Sequence, residues 1–231
     1  MKRGRFLSIA AMACIATLGL AQVWAAGPVG FQSANPTVHN FGQFQTPVDG
    51  RATEALFRGD FVPEQGLGCA TTATPIVGGG PNDFAVGVTA SLTPPFGIIS
   101  TTYNVYTGTP AAPTLTALTF KAWQGGAAPG TEIGAQSGMA VATGNYTVAV
   151  APAIVVNSAA FYFGFLQPQT DSGMRIGLDT TASAGTSFIR APDCGLAAWG
   201  TVDSIGVPGN WVMRAVIDDT VPVELQTFSV N

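Results

Sequence analysis

Glycine and proline punctuate this chain so densely that long helices are not expected: of 231 residues, 29 are Gly and 16 are Pro. Glycine weakens helix and strand interiors through backbone entropy, and proline withholds a hydrogen-bond donor. A chain built this way keeps only short strands joined by many turns. The 47% hydrophobic content is too high for a wholly disordered polymer, so these strands have a core to bury. The pattern predicts an all-β chain, a single antiparallel β-sandwich of jelly-roll type with about nine strands. No alternation of strands with helical periods points to parallel βαβ units.

The strand pattern is clearest where apolar residues alternate. Phe84, Val86, Val88 and Ala90 alternate with Ala85, Gly87 and Thr89, and Thr101, Tyr103 and Val105 lie within a second alternating run, Ile98 to Tyr106. Leu92-Thr93-Pro94-Pro95 separates them as a turn. Phe161, Phe163 and Phe165 fall on one face of a strand with Tyr162 and Leu166 opposite, which predicts the centre of the core. In Trp211 to Ile217 the inward set is Trp211, Met213, Ala215 and Ile217, so Arg214 faces the other way and needs solvent or a carboxylate. Other strands are expected at Leu115 to Trp123, Ala140 to Val150 around a Gly144-Asn145 turn, Met174 to Leu178, Phe188 to Ala191 and Val223 to Val230.

Three segments follow. Lys2, Arg3 and Arg5 precede an apolar run from Phe6 to Leu20, and Val23-Trp24-Ala25 places small residues at a cleavage position, so residues 1–25 read as a secretory signal peptide. Residues 26–65, with five scattered phenylalanines among Gly and Pro, read as an extended arm that docks on its own domain, with self-association through the arm as the rival. Residues 66–231 are the sandwich. Export would leave six basic against thirteen acidic residues, 6 − 13 = −7, with Lys121 the sole lysine. Scattered arginines on an acidic chain exclude nucleic acid as an expected partner, and no later segment has the length to span a bilayer. After cleavage Cys69 and Cys194 remain, an even pair that predicts one disulfide in an oxidising compartment.

The residues that carry chemistry are few. His39 is the only histidine, it lies in the arm, and there is no GxSxG elbow, so a serine-histidine hydrolase is not expected. Glu54, Glu64, Glu132 and Asp179 supply carboxylates for glycoside hydrolysis, but nothing in their spacing marks a pair. The chain is therefore expected not to be an enzyme and to need no cofactor. Asp171, Asp179, Asp218 and Asp219 fall beside expected strand ends, where loop carbonyls complete a hard oxygen shell, and they are the candidates for Ca2+. Trp123, Trp199 and Tyr162 are the candidates for a carbohydrate platform, because aromatic rings stack on sugar faces.

The stretch Gly209-Asn210-Trp211-Val212-Met213-Arg214-Ala215-Val216, with Phe161-Tyr162-Phe163-Gly164-Phe165 and Gly177-Leu178-Asp179, resembles a β-sandwich module of large secreted bacterial proteins. The segment Val221-Pro222-Val223-Glu224-Leu225 is similar to the PVEL-type sequence that commonly follows such modules. The resemblance covers about a quarter of the chain and carries no catalytic residue. The resemblance implies a sandwich fold and export and suggests a surface or extracellular accessory role. Export, sparse charge and the missing catalytic groups point to a structural or adhesion-type protein, with a carbohydrate-binding module using the exposed aromatics as the alternative.

Overall fold

In the computed structural model, the described residues are 29–34, 52–71, 81–107, 117–168 and 174–219. The signal segment, His39, Asp171 and the carboxyl-terminal strand expected at Val223 to Val230 lie outside them. The described residues form two antiparallel sheets packed face to face, so the chain is an all-β sandwich. The strands are more numerous than the nine expected from sequence. One sheet has eight: β1 (Val29–Ala34), β2 (Thr53–Leu56), β3 (Gln65–Thr71), β5 (Phe96–Thr107), β8 (Gly144–Val156), β10 (Met174–Asp179), β13 (Asn210–Trp211) and β14 (Met213–Asp218). The other has six: β4 (Asn82–Thr89), β6 (Leu118–Gly125), β7 (Pro129–Met139), β9 (Ala160–Gln167), β11 (Ser187–Ala191) and β12 (Leu196–Thr201).

Two strands escape the alternation signal for identifiable reasons. In β7 most side chains are exposed or half-buried, so no apolar period marks it. β12 is likewise partly exposed along its whole length. Gly144-Asn145 is not a hairpin turn but the start of β8, with Asn145 opposite Asn104 in the ladder. The chain turns earlier, at 140–143.

The eight-stranded sheet is forked. One edge of β5 pairs with β8, and the other is shared by β14 over Gly97 to Tyr103 and by β10 over Val105 to Thr107. β13 pairs with β10, and Val212 then bonds to both Gly177 and Asn104 as the chain crosses into β14. The amino-terminal arm contributes strands to this same sheet, β1 pairing with β3 and β2 with β14, and residues 57–64 of the arm form the loop between β2 and β3. The six-stranded sheet runs β12-β11-β4-β9-β6-β7. Consecutive β7 and β8 lie in different sheets, and Gln136 stitches them by donating to the Ala149 carbonyl at 3.0 Å and accepting from the Ala151 amide at 2.8 Å.

The inward faces interdigitate as the period-two pattern requires. Phe161, Phe163 and Phe165 from β9 meet Phe96, Phe120 and Tyr103, with the Tyr103 and Phe165 ring centroids 4.4 Å apart. Trp211, Met213, Ala215 and Ile217 are all fully buried. The Trp211 indole stands edge-on to Phe84 and donates to the Phe188 carbonyl at 2.8 Å, which satisfies its N–H across the sandwich. Arg214, facing outward, is nevertheless buried. It donates to Thr102 and lies 5.9 Å from the Phe61 ring, and burial lowers its guanidinium from the usual range to about 10.

Cys69 in β3 and Cys194 in the turn Pro192–Cys194 are bonded, with Cα atoms 6.0 Å apart. The bridge ties the eight-stranded sheet to the far end of the six-stranded one. Beside it, Asn82 donates to the Cys69 carbonyl at 3.3 Å and to Gln167 at 3.2 Å, a buried polar link between the sheets.

Candidate functional site

The outer face of the six-stranded sheet carries a second, smaller apolar cluster separate from the inter-sheet core: Ala85, Trp123, Tyr162 and Phe188, with Ala128 and Trp199 packed against it. Period two explains its origin, since on β4, β6, β9 and β11 these residues alternate with core-facing ones such as Phe84, Ala122, Phe163 and Ile189. All three aromatics proposed as a sugar platform are thus brought to one patch. Trp123 and Trp199 meet edge to face at 5.5 Å, and so do Tyr162 and Phe188 at 5.5 Å.

Their rings are less open than a platform would be. Trp123 is 4% exposed and Tyr162 8%, and Trp199 alone is half-buried. Arg190, paired with buried Asp83, lies 5.2 Å from the Trp199 ring centroid. Tyr162 lies over Gly87, where a Cβ would come within 2.9 Å of its ring. Its hydroxyl donates to the Gly126 carbonyl at 2.6 Å, so the β6–β7 turn folds over it, and burial raises its phenol above the ordinary value. Sequence position places Tyr162 outward, but only this tertiary turn closes over it.

Next to the cluster is a cleft of about 250 Å³. Its floor is the Tyr162 and Phe188 rings, and its rim is the exposed Gly125-Gly126-Ala127 turn on one side and Gly185-Thr186 on the other. Arg58, from the loop after β2, reaches across from the other sheet to form one wall. Gly87 donates to the Thr186 carbonyl at 2.8 Å, and its own carbonyl accepts from Arg58 Nε at 3.1 Å. The same Nε lies 3.3 Å from Thr186 Oγ1. Arg58 therefore caps the end of the β4–β11 pairing. Sequence reasoning passed over Arg58, Thr186 and Phe188 as site residues, because Arg58 lies 128 residues from Thr186 and none of the three is in a motif.

Carboxylates hold the two loops that carry Arg58 and Thr186. At the end of β10, Asp179 is buried and accepts from the Asp60 amide at 2.8 Å and from the Thr181 amide at 2.9 Å. Glu64 accepts from the Thr180 amide at 2.7 Å and the Thr181 hydroxyl at 3.1 Å. Gly59 permits this approach: it adopts φ +70°, and a Cβ there would stand 1.7 Å from Asp179 Oδ2. Phe61 is also left-handed, at φ +66°, an uncommon state for an aromatic residue. On the other loop, Asn210 binds the Ala182 carbonyl and accepts from the Ala184 amide at 3.0 Å, while Ser183 donates to Asp203 at 2.8 Å.

Asp60, Glu64 and Asp179 place a carboxylate oxygen each within 4.8 Å of one another, and these are the residues that could hold a hard cation. Of the described aspartates chosen from sequence, Asp179, Asp218 and Asp219, only Asp179 belongs to this group. Asp179 lies opposite Asn210 at the start of β13, whereas Asp218 ends β14 opposite Thr53. Eight residues of extended chain separate the two positions, roughly 25 Å at ~3.3 Å per residue. Asp219 is exposed, and its amide donates to the Ala52 carbonyl at 3.3 Å. The other candidate carboxylates have local duties. Glu54 accepts from the amides of Ser91 and Leu92 and from the Ser91 hydroxyl, and Glu132 pairs with Lys121 at 2.8 Å.

The fold and this site together define a two-sheet antiparallel β-sandwich with a loop-bounded cleft on the outer face of its smaller sheet. No protein family matches the chain, and no curated protein matches it in sequence. A similar solved structure is that of the cysteine protease and lectin-like domains of Cwp84, a surface layer associated protein of Clostridium difficile. It superposes with a TM-score of 0.53 at 10% identity, covering 73% of this chain and 36% of that one. The chain thus spans little more than a third of that structure, and the likeness is one of fold.

Proposed function

We propose that this chain is a non-catalytic, extracellular β-sandwich with a structural or adhesion-type role. The observation that carries the reading is the Cys69–Cys194 bridge, which joins the two sheets across a sequence separation of 125 residues. Disulfides of this structural kind persist in oxidising compartments and are rare in the cytosol. The basic, apolar amino terminus supports the same compartment. Fractionation of producing cells tests it: the protein is expected in the medium or at the surface with its thiols blocked, and a cytosolic protein with two free thiols would refute it. A screen of purified protein against glycosidase and esterase substrates is expected to yield no turnover, and sustained turnover would overturn the non-catalytic part.

A second reading, carbohydrate binding, is favoured by one specific observation. Trp123, Trp199 and Tyr162 converge beside a cleft rather than scattering over the sandwich. The lectin-like domain named for the similar structure accords with that reading. Glycan arrays separate the two readings: saturable binding that is lost on Tyr162→Ala favours the sugar module, and binding to none leaves the structural role.

A further inference from the structure

We infer that the Arg58 cleft is a site for a carboxylated sugar, a pyranose bearing one carboxylate within an otherwise neutral glycan. The inference rests on the carbohydrate reading and names its ligand class. Five cationic side chains fall among the described residues. Lys121 pairs with Glu132, Arg190 pairs with Asp83, and Arg175 and Arg214 are buried. Arg58 is the one that is partly exposed without an ion pair among the described residues. Its Nε is committed to the Gly87 carbonyl and Thr186 hydroxyl, and this fixes the guanidinium plane. Neither terminal nitrogen has an acceptor among the described residues. A guanidinium anchored through Nε presents the two remaining nitrogens as a fork, which matches the two oxygens of a carboxylate.

The rest of the cleft suits a pyranose more than an acidic peptide. The Tyr162 and Phe188 rings line the cleft with only 8% and 7% of their surface exposed, a small apolar contact for the C–H face of one sugar ring, and Thr89, Thr186 and glycine backbone at the rim offer hydrogen-bonding groups to its hydroxyls. At about 250 Å³ the cleft is below the ~300–1,000 Å³ of drug-sized ligand pockets, so it accommodates one ring rather than a long oligosaccharide. The chain is acidic overall, at −4. A densely charged polyuronate would be repelled by that net charge, whereas a single carboxylate gains the Arg58 contact at little long-range cost.

The test uses methyl glycosides of glucuronic, galacturonic and N-acetylneuraminic acid against methyl glucoside and methyl galactoside, titrated into the purified protein with its disulfide formed. Aromatic NMR signals of Tyr162 and Phe188 report occupancy in the wild-type protein without any substitution. At least one acidic glycoside is expected to shift them saturably, to bind at least tenfold more tightly than its neutral counterpart, and to weaken with added salt. Arg58→Gln and Arg58→Lys are both expected to weaken that binding at least tenfold, the second because ammonium keeps the charge but lacks the fork. Melting curves check that each variant is folded, and if both fail to fold, the wild-type titration decides alone. Equal binding of acidic and neutral glycosides would overturn the acid assignment and leave the carbohydrate reading standing. No binding of any glycoside would overturn both. Acid-selective binding that moves neither Tyr162 nor Phe188, or that survives both substitutions in folded protein, would overturn the site.

Discussion

Removing the Cys69–Cys194 bridge should cost this protein a large part of its stability, and most of the loss should come from the unfolded state. The bridge closes a loop of 125 residues. The chain-entropy relation for a loop of that length gives about 5 kcal/mol at 25 °C. For a chain of 150–250 residues each kcal/mol moves Tm by about 2–4 °C, so Cys69→Ala with Cys194→Ala should lower Tm by about 10–20 °C. The native state loses little else, because alanine keeps the buried position of Cys69 apolar. Calorimetric melting of the double variant, and of the wild-type protein with reductant, should give the same midpoint. Urea unfolding adds a sharper check. A chain released from a long loop expands more when unfolded, so the m-value should rise in the variant. A fall in Tm of less than about 4 °C, within what 1–2 kcal/mol produces, would refute the loop-entropy reasoning. A large fall with an unchanged m-value would place the loss in the native state instead.

Gly59→Ala should destabilise by about 3 kcal/mol or more, since the left-handed backbone alone costs ~1–2 kcal/mol and the new Cβ would displace Asp179 from the Asp60 amide; denaturant unfolding measures it, and a near-neutral result would show that the Asp179 clamp is dispensable. Tyr103 is fully buried, and burial raises its phenol well above the unfolded value of 10.0. The unfolded chain therefore loses this proton first, and stability should fall by ~1.4 kcal/mol per pH unit above about 10 and be intact below it. Tyr103→Phe should lose about 1 kcal/mol near neutral pH with its bond to the Ala140 carbonyl, and should show a shallower alkaline decline; parallel slopes would refute the assignment. Gln136→Ala should cost about 1 kcal/mol by cutting the stitch between β7 and β8, and faster amide exchange at Ala151 would locate the loss.

Local sequence determined the strands that carry an apolar period and their inward faces. Period two put Phe161, Phe163, Phe165, Trp211 and Met213 in the core, because successive side chains of a strand point to opposite faces whatever the strand pairs with. Parity and compartment likewise indicated a Cys69–Cys194 pair before any geometry was known. β7 and β12 were invisible because a strand whose side chains are largely exposed or half-buried leaves no apolar period. Only tertiary structure decided what the outward residues do. Trp123, Trp199 and Tyr162 were legible as aromatics but not as one closed patch, since that closure depends on the neighbour order of the strands and on a turn whose carbonyl meets the Tyr162 hydroxyl. Asp179 was recognisable as a strand-end aspartate, yet its partners Asp60 and Glu64 come from a loop more than a hundred residues away. Arg58 carried no signal at all, because its place in the cleft is set by a carbonyl on β4 and a hydroxyl before β11, contacts of the folded chain that no local spacing encodes.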